Sequence, residues 1–209
     1  MMKKILIDKD VKKILFITLS NIGDVILTTP TLESLHFKFP NATFDIVGDK
    51  RSKLLFKYCP YMSNFFEKDK GAGWWGILLL VKKLRQQKYD LAVDLRSDGI
   101  LYFLKAKKKF FKTSNKSSLR MHSAEKHFSS LKNIIENNIP PTTIWLSDYE
   151  KELTNKLFTK YKNKCLLTIG LGANFDGKIW HISNYIKLAN ILNTFFDVII
   201  LVGDKYDAT

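Results

Sequence analysis

A short polar segment between two apolar stretches carries the first candidate chemistry. Ser20-Asn21-Ile22-Gly23-Asp24 follows the apolar run 13–18 and precedes a stretch with helical character. Gly23 permits a close backbone turn, and a helix N-terminus offers unpaired N–H groups. Asp24 fits two roles: a helix cap, or a carboxylate that accepts a proton from a substrate hydroxyl. The segment contains neither G-x-G-x-x-G nor G-x-x-x-x-G-K-[ST], which disfavours the usual dinucleotide fold and a P-loop nucleoside triphosphatase.

A glycine-containing segment later in the chain carries the second candidate chemistry. Residues 170–181 read GLGANFDGKIWH and lie between an apolar run and a helical pattern. Backbone N–H groups near Gly172 and Ala173, with the ammonium of Lys178, suit a phosphate group. The alternative is a surface lysine, with Trp180 packed at the start of a helix. The spacing alone does not choose between these two interpretations.

The charge of the chain is concentrated in its first three quarters. The 209 residues include 34 Lys and Arg against 20 Asp and Glu, for a formal net charge of +14. Residues 1–160 hold 29 basic and 16 acidic side chains, and the densest stretch is 105–112, with Lys116 and Arg120 just beyond. Such a patch attracts nucleic acid, anionic lipid or a phosphorylated glycan. A solvated lysine-rich face is the alternative.

The elements that must position these residues alternate along the chain. Short apolar runs rich in Ile, Val and Phe indicate strands covered on both faces, and helical patterns separate them. This order predicts an α/β fold with a parallel sheet, whose ligands bind at the carboxyl ends of the strands. The loops after Thr18, Leu95 and Ile169 are therefore the candidate sites. The predicted strands include 13–18, 43–48, 89–95, 165–170 and 197–202, and the predicted helices include 25–39, 74–87, 97–105 and 123–137.

Several classes of protein are excluded or disfavoured. Two cysteines, Cys59 and Cys165, form no disulfide framework and no Cys/His cluster that would bind zinc. The first residues lack the apolar core of a secretory signal, and the longest apolar run, 74–81, is too short to span a bilayer. The segment 74–83 (WWGILLLVKK) fits either a core helix or an interfacial membrane helix.

Four segments, in order, resemble the bacterial heptosyltransferases of glycosyltransferase family 9. Residues 14–49 (ILFITLSNIGDVILTTPTLESLHFKFPNATFDIVGD) resemble the start of that family. YDLAVDLR at 89–96 looks like its "YD-x-x-x-D-x-(Q/R)" strand, and HSAEKHFSSL at 122–131 looks like its His-x-x-(E/D) helix. Gly172-Ala173 with Lys178-x-Trp180 looks like its "PGA…K-x-W" segment, although Leu171 replaces the proline.

The resemblance implies an architecture. The family has the GT-B fold, in which two Rossmann-like domains face a cleft. The resemblance assigns residues 1–141 to an acceptor-side Rossmann-like domain with a parallel sheet. Residues 142–209 then form a linker helix and the first part of a donor-side Rossmann-like domain, which binds a nucleotide-sugar. The family's later donor-side segment has no counterpart in these 209 residues. The sequence is therefore expected to be either a fragment of a longer enzyme or a truncated product. The alternative to an active enzyme is a catalytically inactive remnant that binds the acceptor.

The resemblance also implies a reaction. The family transfers a heptose, usually from ADP-heptose, to the anionic inner core of lipopolysaccharide, with inversion and without a metal or other cofactor. Asp24 then matches the candidate base, and Lys178 with Gly172 and Ala173 matches the donor phosphate site. Ser20, Asn21, Gly23, Arg96 and Arg120 are the expected acceptor contacts, together with the lysines of 105–112.

The expected location is the cytoplasm, in peripheral contact with the inner face of the bacterial inner membrane. A non-enzymatic acceptor-binding module is one rival, and a nucleic-acid binder with Phe110-Phe111 among lysines is another. The sequence has no RRM, KH or helix-turn-helix signature, so nucleic acid is not an expected partner.

Overall fold

The chain forms two compact units, Met1–Leu146 and Ser147–Thr209. A computed structural model describes residues 10–69, 71–112, 121–135, 138–173 and 176–203. The first unit extends past the Pro140-Pro141 pair, where the domain boundary was predicted, because the residues that follow pack onto it. The Trp145 ring lies 5.9 Å from that of Phe56, and the Thr143 N–H donates to Thr29 Oγ1 at 2.9 Å.

A five-stranded parallel sheet forms the centre of the first unit. Its strand order is β3-β2-β1-β4-β5, so the chain crosses over the middle of the sheet after β3. The central strand β1 is buried at four of its five positions, as expected for an apolar run covered on both faces. The strands are β1 (Lys13–Ile17), β2 (Thr43–Gly48), β3 (Met62–Glu67), β4 (Tyr89–Asp94) and β5 (Ala106–Phe111).

Helices cover both faces of this sheet. On one face, Phe16 and Phe44 pack in a cluster with residues of α1 (Ile22–Ile26), α2 (Thr29–Lys38) and α4 (Ser123–Ser129). On the other face, Leu15 and Ile17 pack with α3 (Gly73–Arg85) and a 3-10 helix, Ile100–Phe103. Successive residues of β1 thus point to opposite faces, which fixes the strand between two apolar layers.

The predicted helix 25–39 is wrong in one respect, because the structure divides it. The first segment begins earlier, as α1 at Ile22, and a new helix, α2, starts at Thr29. Thr28 Oγ1 donates to the Val25 carbonyl at 2.7 Å, and Thr29 Oγ1 donates to the Ile26 carbonyl at 2.8 Å. Pro30 has no N–H to continue the ladder of α1, and its fixed φ suits the first turn of α2.

Two other predicted helices are shorter than expected. Of residues 97–105, only the 3-10 helix Ile100–Phe103 is helical, because Ser97 and Gly99 adopt left-handed φ angles of 62° and 82°. Within the helix predicted for 123–137, only α4 (Ser123–Ser129) is α-helical. Turns and a bend follow it up to residue 135. The last two residues of the predicted helix lie outside the described part of the chain.

The described part of the second unit, residues 147–173 and 176–203, contains two parallel strands and two longer helices. Ser147 caps its first helix, since its side chain accepts from the Glu150 N–H while Glu150 bonds back to the Ser147 N–H. The strands pair directly with each other, in the register Leu166 to Val198. The elements are α5 (Asp148–Thr159), β6 (Leu166–Gly170), a 3-10 helix (Asp176–Lys178), α6 (Ile182–Leu192) and β7 (Val198–Val202). Among the helices of the described ranges, none has the length and apolarity required to cross a bilayer.

Candidate functional site

The carboxyl edge of the five-stranded sheet brings the first set of predicted residues together. Backbone hydrogen bonds extend the ladders beyond the strands: Thr18 N–H donates to the Val47 carbonyl at 3.0 Å, and Leu95 N–H donates to the Ile17 carbonyl at 3.1 Å. Lys112 N–H donates to the carbonyl of the last residue of β4 at 2.8 Å. The loops after β1, β4 and β5 are therefore side by side, as the switch-point rule predicts.

Asp24 is an exposed carboxylate in the first turn of α1. Asn21, not Asp24, is the N-cap residue, and its amide donates to Asp24 Oδ2 at 3.0 Å instead of capping the backbone. The aspartate therefore has a partner that orients it while its carboxylate stays open to solvent. Ser20, which precedes this pair, is half-buried. This arrangement suits proton acceptance from a bound hydroxyl better than the capping role.

Gly23 does not form the close turn that its position suggested. Its φ is not left-handed, since only Gly73 and Gly99 among the described glycines have positive φ. A Cβ built at Gly23 would meet no atom within 4 Å, so neither the backbone nor a neighbouring side chain requires glycine here. What glycine leaves is empty space beside Asp24, where a ligand can approach.

Substitution of Gly23 by Ala should separate folding from function. We expect the free energy of unfolding to rise by roughly 0.5–1 kcal/mol, because alanine favours the helix and the added methyl group meets nothing. We expect ligand binding at the edge to weaken, because the methyl group fills the approach to Asp24. Urea denaturation and ligand titration on one preparation measure both effects. Unchanged ligand binding would show that the space beside Gly23 is not used.

Asp94 ends β4 as a fully buried carboxylate. Its Oδ1 accepts from the N–H groups of Arg96 and Ser97, both at 2.8 Å. Its Oδ2 is buried and has no hydrogen-bond partner among the described residues. Burial raises the pKa of this carboxyl, although the two N–H bonds oppose the shift. Asp94 thus shapes the loop that carries Arg96.

Arg96 belongs to a group of three charged side chains that hold the loop after β4. Arg96 Nε donates to Asp98 Oδ2 at 2.9 Å, and Lys68 Nζ bonds the same oxygen. Lys68 is almost fully buried, with 9% of its side chain exposed, and follows β3 on the other side of the sheet centre. Asp98 therefore connects the loops after β3 and β4 and orients the guanidinium of Arg96.

A cleft of about 450 Å³ opens beside this loop. The Tyr102 ring stacks on that of Phe111, with centroids 4.8 Å apart and planes inclined by 26°. The side chains of Arg96 and Lys112 lie in the same lining, so a flat apolar surface adjoins two cations. Such a combination suits a sugar that carries phosphate groups, since guanidinium and ammonium groups bind phosphate oxygens. The lining residues are Arg96, Ser97, Gly99, Tyr102, Phe111 and Lys112.

His127 on α4 is a buried imidazole close to the same edge. Burial lowers its pKa to about 4, with Lys112 and Lys126 acting in the same direction and Asp24 opposing. Its Nδ1 is buried without a hydrogen-bond partner in the part of the chain that the structure describes. The neutral imidazole therefore lies within electrostatic range of both Asp24 and Lys112.

The buried His127 should make the fold sensitive to acid. An unfolded chain binds a proton at this imidazole near pH 6.5, whereas the folded chain does so only near pH 4. The unfolded state therefore holds more protons between these values, and the free energy of unfolding should fall by up to about 3 kcal/mol as pH drops through this window. The difference between the stability curves of the wild type and His127→Leu isolates this contribution. A His127 imidazole signal that titrates near pH 6.5 in the folded protein would contradict this prediction.

The structure describes His122 but not Arg120. His122 is the N-cap of α4, and its Nδ1 accepts from the Ala124 N–H at 3.3 Å while Glu125 bonds back to the His122 N–H. It is thus a capping residue. Arg120, an expected acceptor contact, lies outside the described residues, as does Lys116.

The second unit holds the expected donor-side residues at the carboxyl edge of its own sheet. Leu171 N–H extends the ladder to the Val202 carbonyl at 2.9 Å, and exposed Gly172 and Ala173 follow directly. Lys178 ends the 3-10 helix and is also exposed. His181 is the N-cap of α6, and its Nδ1 accepts from the Ser183 N–H at 3.3 Å. The segment therefore presents backbone N–H groups and one ammonium close together in the chain.

Sequence reasoning missed Lys68, Asp98, Tyr102 and His127. The turn signal Ser97-Asp98-Gly99 after a predicted strand could have marked Asp98. No local pattern marks Lys68, because its partner lies thirty residues away on another loop. Among the described residues, no three His, Cys, Asp or Glu side chains are grouped closely enough to bind a metal ion.

Comparisons with known proteins define the fold class first. No protein-family profile matches the chain. The glycosyl transferase family 9 protein of Veillonella parvula superimposes with a TM-score of 0.77 at 18% identity, covering 98% of this chain and 66% of that structure. The ADP-heptose lipopolysaccharide heptosyltransferase II of Escherichia coli gives a TM-score of 0.67 at 19% identity, covering 93% of this chain and 65% of that structure. The fold is the α/β fold of the GT-B glycosyltransferases, as predicted.

A sequence comparison then points to a particular group. The chain is 27% identical to lipooligosaccharide heptosyltransferase 2 of Campylobacter jejuni, over 88% of this chain and 58% of that protein. The resemblance to the heptosyltransferases of glycosyltransferase family 9, which the four motifs predict, is confirmed. The chain spans 58% of the length of the Campylobacter jejuni protein and about two thirds of the two solved structures.

Proposed function

We propose that this chain belongs to a heptosyltransferase of glycosyltransferase family 9. In this proposal the first unit binds the acceptor, the inner core of lipopolysaccharide, and the second unit binds the phosphates of a nucleotide-activated heptose, ADP-heptose. One observation carries it above the others: the exposed carboxylate of Asp24, oriented by Asn21, lies at the same sheet edge as a cationic cleft. The enzyme would act in the cytoplasm and need no metal.

The proposed reaction is a single displacement. An acceptor hydroxyl attacks the anomeric carbon of the heptose, and Asp24 takes the hydroxyl proton as the new C–O bond forms. The bond from that carbon to the diphosphate breaks, and attack from the opposite side inverts the configuration. Lys178 and the N–H groups near Gly172 and Ala173 stabilise the charge that the leaving diphosphate gains.

The acceptor contacts follow from the charge of the cleft. Arg96 is oriented by Asp98, and Lys112 lies in the same lining, so both can meet phosphate groups of an anionic glycan. Ser20 and Asn21 are close enough in the chain to Asp24 to hold sugar hydroxyls beside it. The aromatic pair Tyr102 and Phe111 offers a flat surface for a sugar ring.

Two parallel measurements on the purified chain test the proposal. The chain is mixed with ADP-heptose and with lipopolysaccharide that lacks heptose, and ADP release and the mass of the acceptor are followed. Calorimetry with the same acceptor measures binding by itself. Acceptor heptosylation supports the proposal, whereas acceptor binding without transfer favours the acceptor-binding remnant. The absence of both acceptor binding and heptose transfer would contradict the proposed enzyme and the acceptor-binding remnant alike.

A further inference from the structure

Helix α3 presents apolar side chains on two opposite faces. Leu80, Val81 and Leu84 are buried against the sheet, so one face is an ordinary core face. On the other side, Trp74, Trp75, Leu78 and Leu79 are 79%, 77%, 56% and 59% exposed. These four recur at the spacing of one helix face. We call them the α3 outer face.

The surroundings of the α3 outer face are basic. The helix ends in Lys82, Lys83 and Arg85, and no acidic residue occurs between residues 73 and 85. The 3-10 helix Ile100–Phe103 packs against α3 and adds exposed Tyr102 and Phe103. The chain then continues from residue 104 to residue 112 with five lysines and no acidic residue.

From these observations we propose that the α3 outer face docks on an anionic lipid bilayer. Tryptophan and leucine side chains enter the boundary between headgroups and acyl chains, and lysines beside them meet the headgroup charges. A protein partner of ordinary composition would not supply an acidic group to each of Lys82 and Lys83, whereas a bilayer with anionic lipids offers an apolar layer beneath a negative surface. The net charge of +14 gives the same preference over a longer distance.

The position of this face deepens the membrane contact expected for the proposed function. Because α3 follows β3, its first turn with Trp74 and Trp75 lies towards the carboxyl edge of the sheet, where Asp24 also lies. Tyr102, which adjoins α3, also lines the cationic cleft. Docking by this face would thus bring the cleft to the headgroups that carry a lipid-linked acceptor.

Vesicle flotation tests the proposal without nucleotide-sugar or acceptor, so its result is independent of transferase activity. Vesicles of phosphatidylcholine with phosphatidylglycerol should bind the chain, and pure phosphatidylcholine should bind it more weakly. Trp74→Ser combined with Trp75→Ser should weaken binding by at least about tenfold, because two interfacial anchors are lost. Lys82→Gln with Lys83→Gln should reduce only the gain from phosphatidylglycerol.

A matched control uses exposed apolar residues elsewhere in the first unit. Phe37 and Leu54 are 68% and 73% exposed, and Phe37→Ser with Leu54→Ser should leave vesicle binding unchanged. Circular dichroism establishes that each variant is folded. Equal binding by the tryptophan variant and the wild type would overturn the proposal. The proposal would also be overturned if the wild type did not bind vesicles and formed a dimer that the tryptophan variant converts to a monomer. A second copy of the chain would then be the occupant of the α3 outer face.

Discussion

In the proposed reaction, Asp24→Asn should lower the rate of heptose transfer by a factor of about 10²–10⁴ while the chain remains folded. The amide keeps the shape of the side chain but cannot accept the proton of the attacking hydroxyl. The carboxylate is exposed and its described partner is the Asn21 amide, so little stability depends on it. Turnover with ADP-heptose, measured at saturating acceptor, gives the loss in kcat.

Two further variants make the Asp24 result specific. Asp10→Asn changes another exposed aspartate, which pairs with Lys12 before β1, at the opposite edge of the sheet. It should leave turnover unchanged. Asn21→Ala removes the amide that orients Asp24 and should give an intermediate loss in kcat without abolishing it. If Asp24→Asn turned over at a rate close to that of the wild type, another group would have to be the base.

Asp98→Ala should have the largest effect on stability, a loss of about 3–5 kcal/mol in the free energy of unfolding. The substitution leaves the ammonium of Lys68 buried without its carboxylate and also frees Arg96. Removal of one partner from a buried ion pair costs more than the pair contributes, because the remaining charge has lost its water. Urea denaturation at neutral pH measures the difference.

Asp10→Ala is the matched control for this second variant. Its ion pair with Lys12 is 3.6 Å long and both side chains are more than three quarters exposed, so its loss should cost less than about 1 kcal/mol. Replacing Lys68 by Met in the Asp98→Ala background should recover part of the stability, because the unpaired charge is then absent. Equal losses from the two alanine variants would show that burial of Lys68 adds nothing.

The strands could be predicted from the sequence because each is a local pattern. The run 43–48 is found as β2 with the predicted bounds, and four of the five residues of β1 are fully buried. The carboxyl-edge location of Asp24 and Arg96 follows from the same pattern, since loops after parallel strands must meet. Lys178 could likewise be placed after a strand because a glycine-containing loop follows the apolar run 165–170.

The remaining features depend on contacts between distant parts of the chain or on single torsion angles. The break between α1 and α2 rests on the hydroxyls of Thr28 and Thr29, which bond to carbonyls of the preceding turn. The shortening of the predicted helix after β4 follows from the positive φ of Ser97, which serine seldom adopts. The pairing of Lys68 with Asp98 requires the strand order β3-β2-β1-β4, and no periodicity in the sequence contains that order.

Strand β5 has a consequence for self-association. It lies at one side of the described five-stranded sheet, where its outer N–H and C=O groups could template the addition of a second chain. Its sequence, AKKKFF, combines the aromatic residues of a strong strand former with three consecutive lysines. Two copies brought edge to edge would place these ammonium groups against one another. The lysines therefore oppose sheet-to-sheet aggregation, so a charge-neutral version of this strand should precipitate at concentrations at which the natural chain stays dispersed.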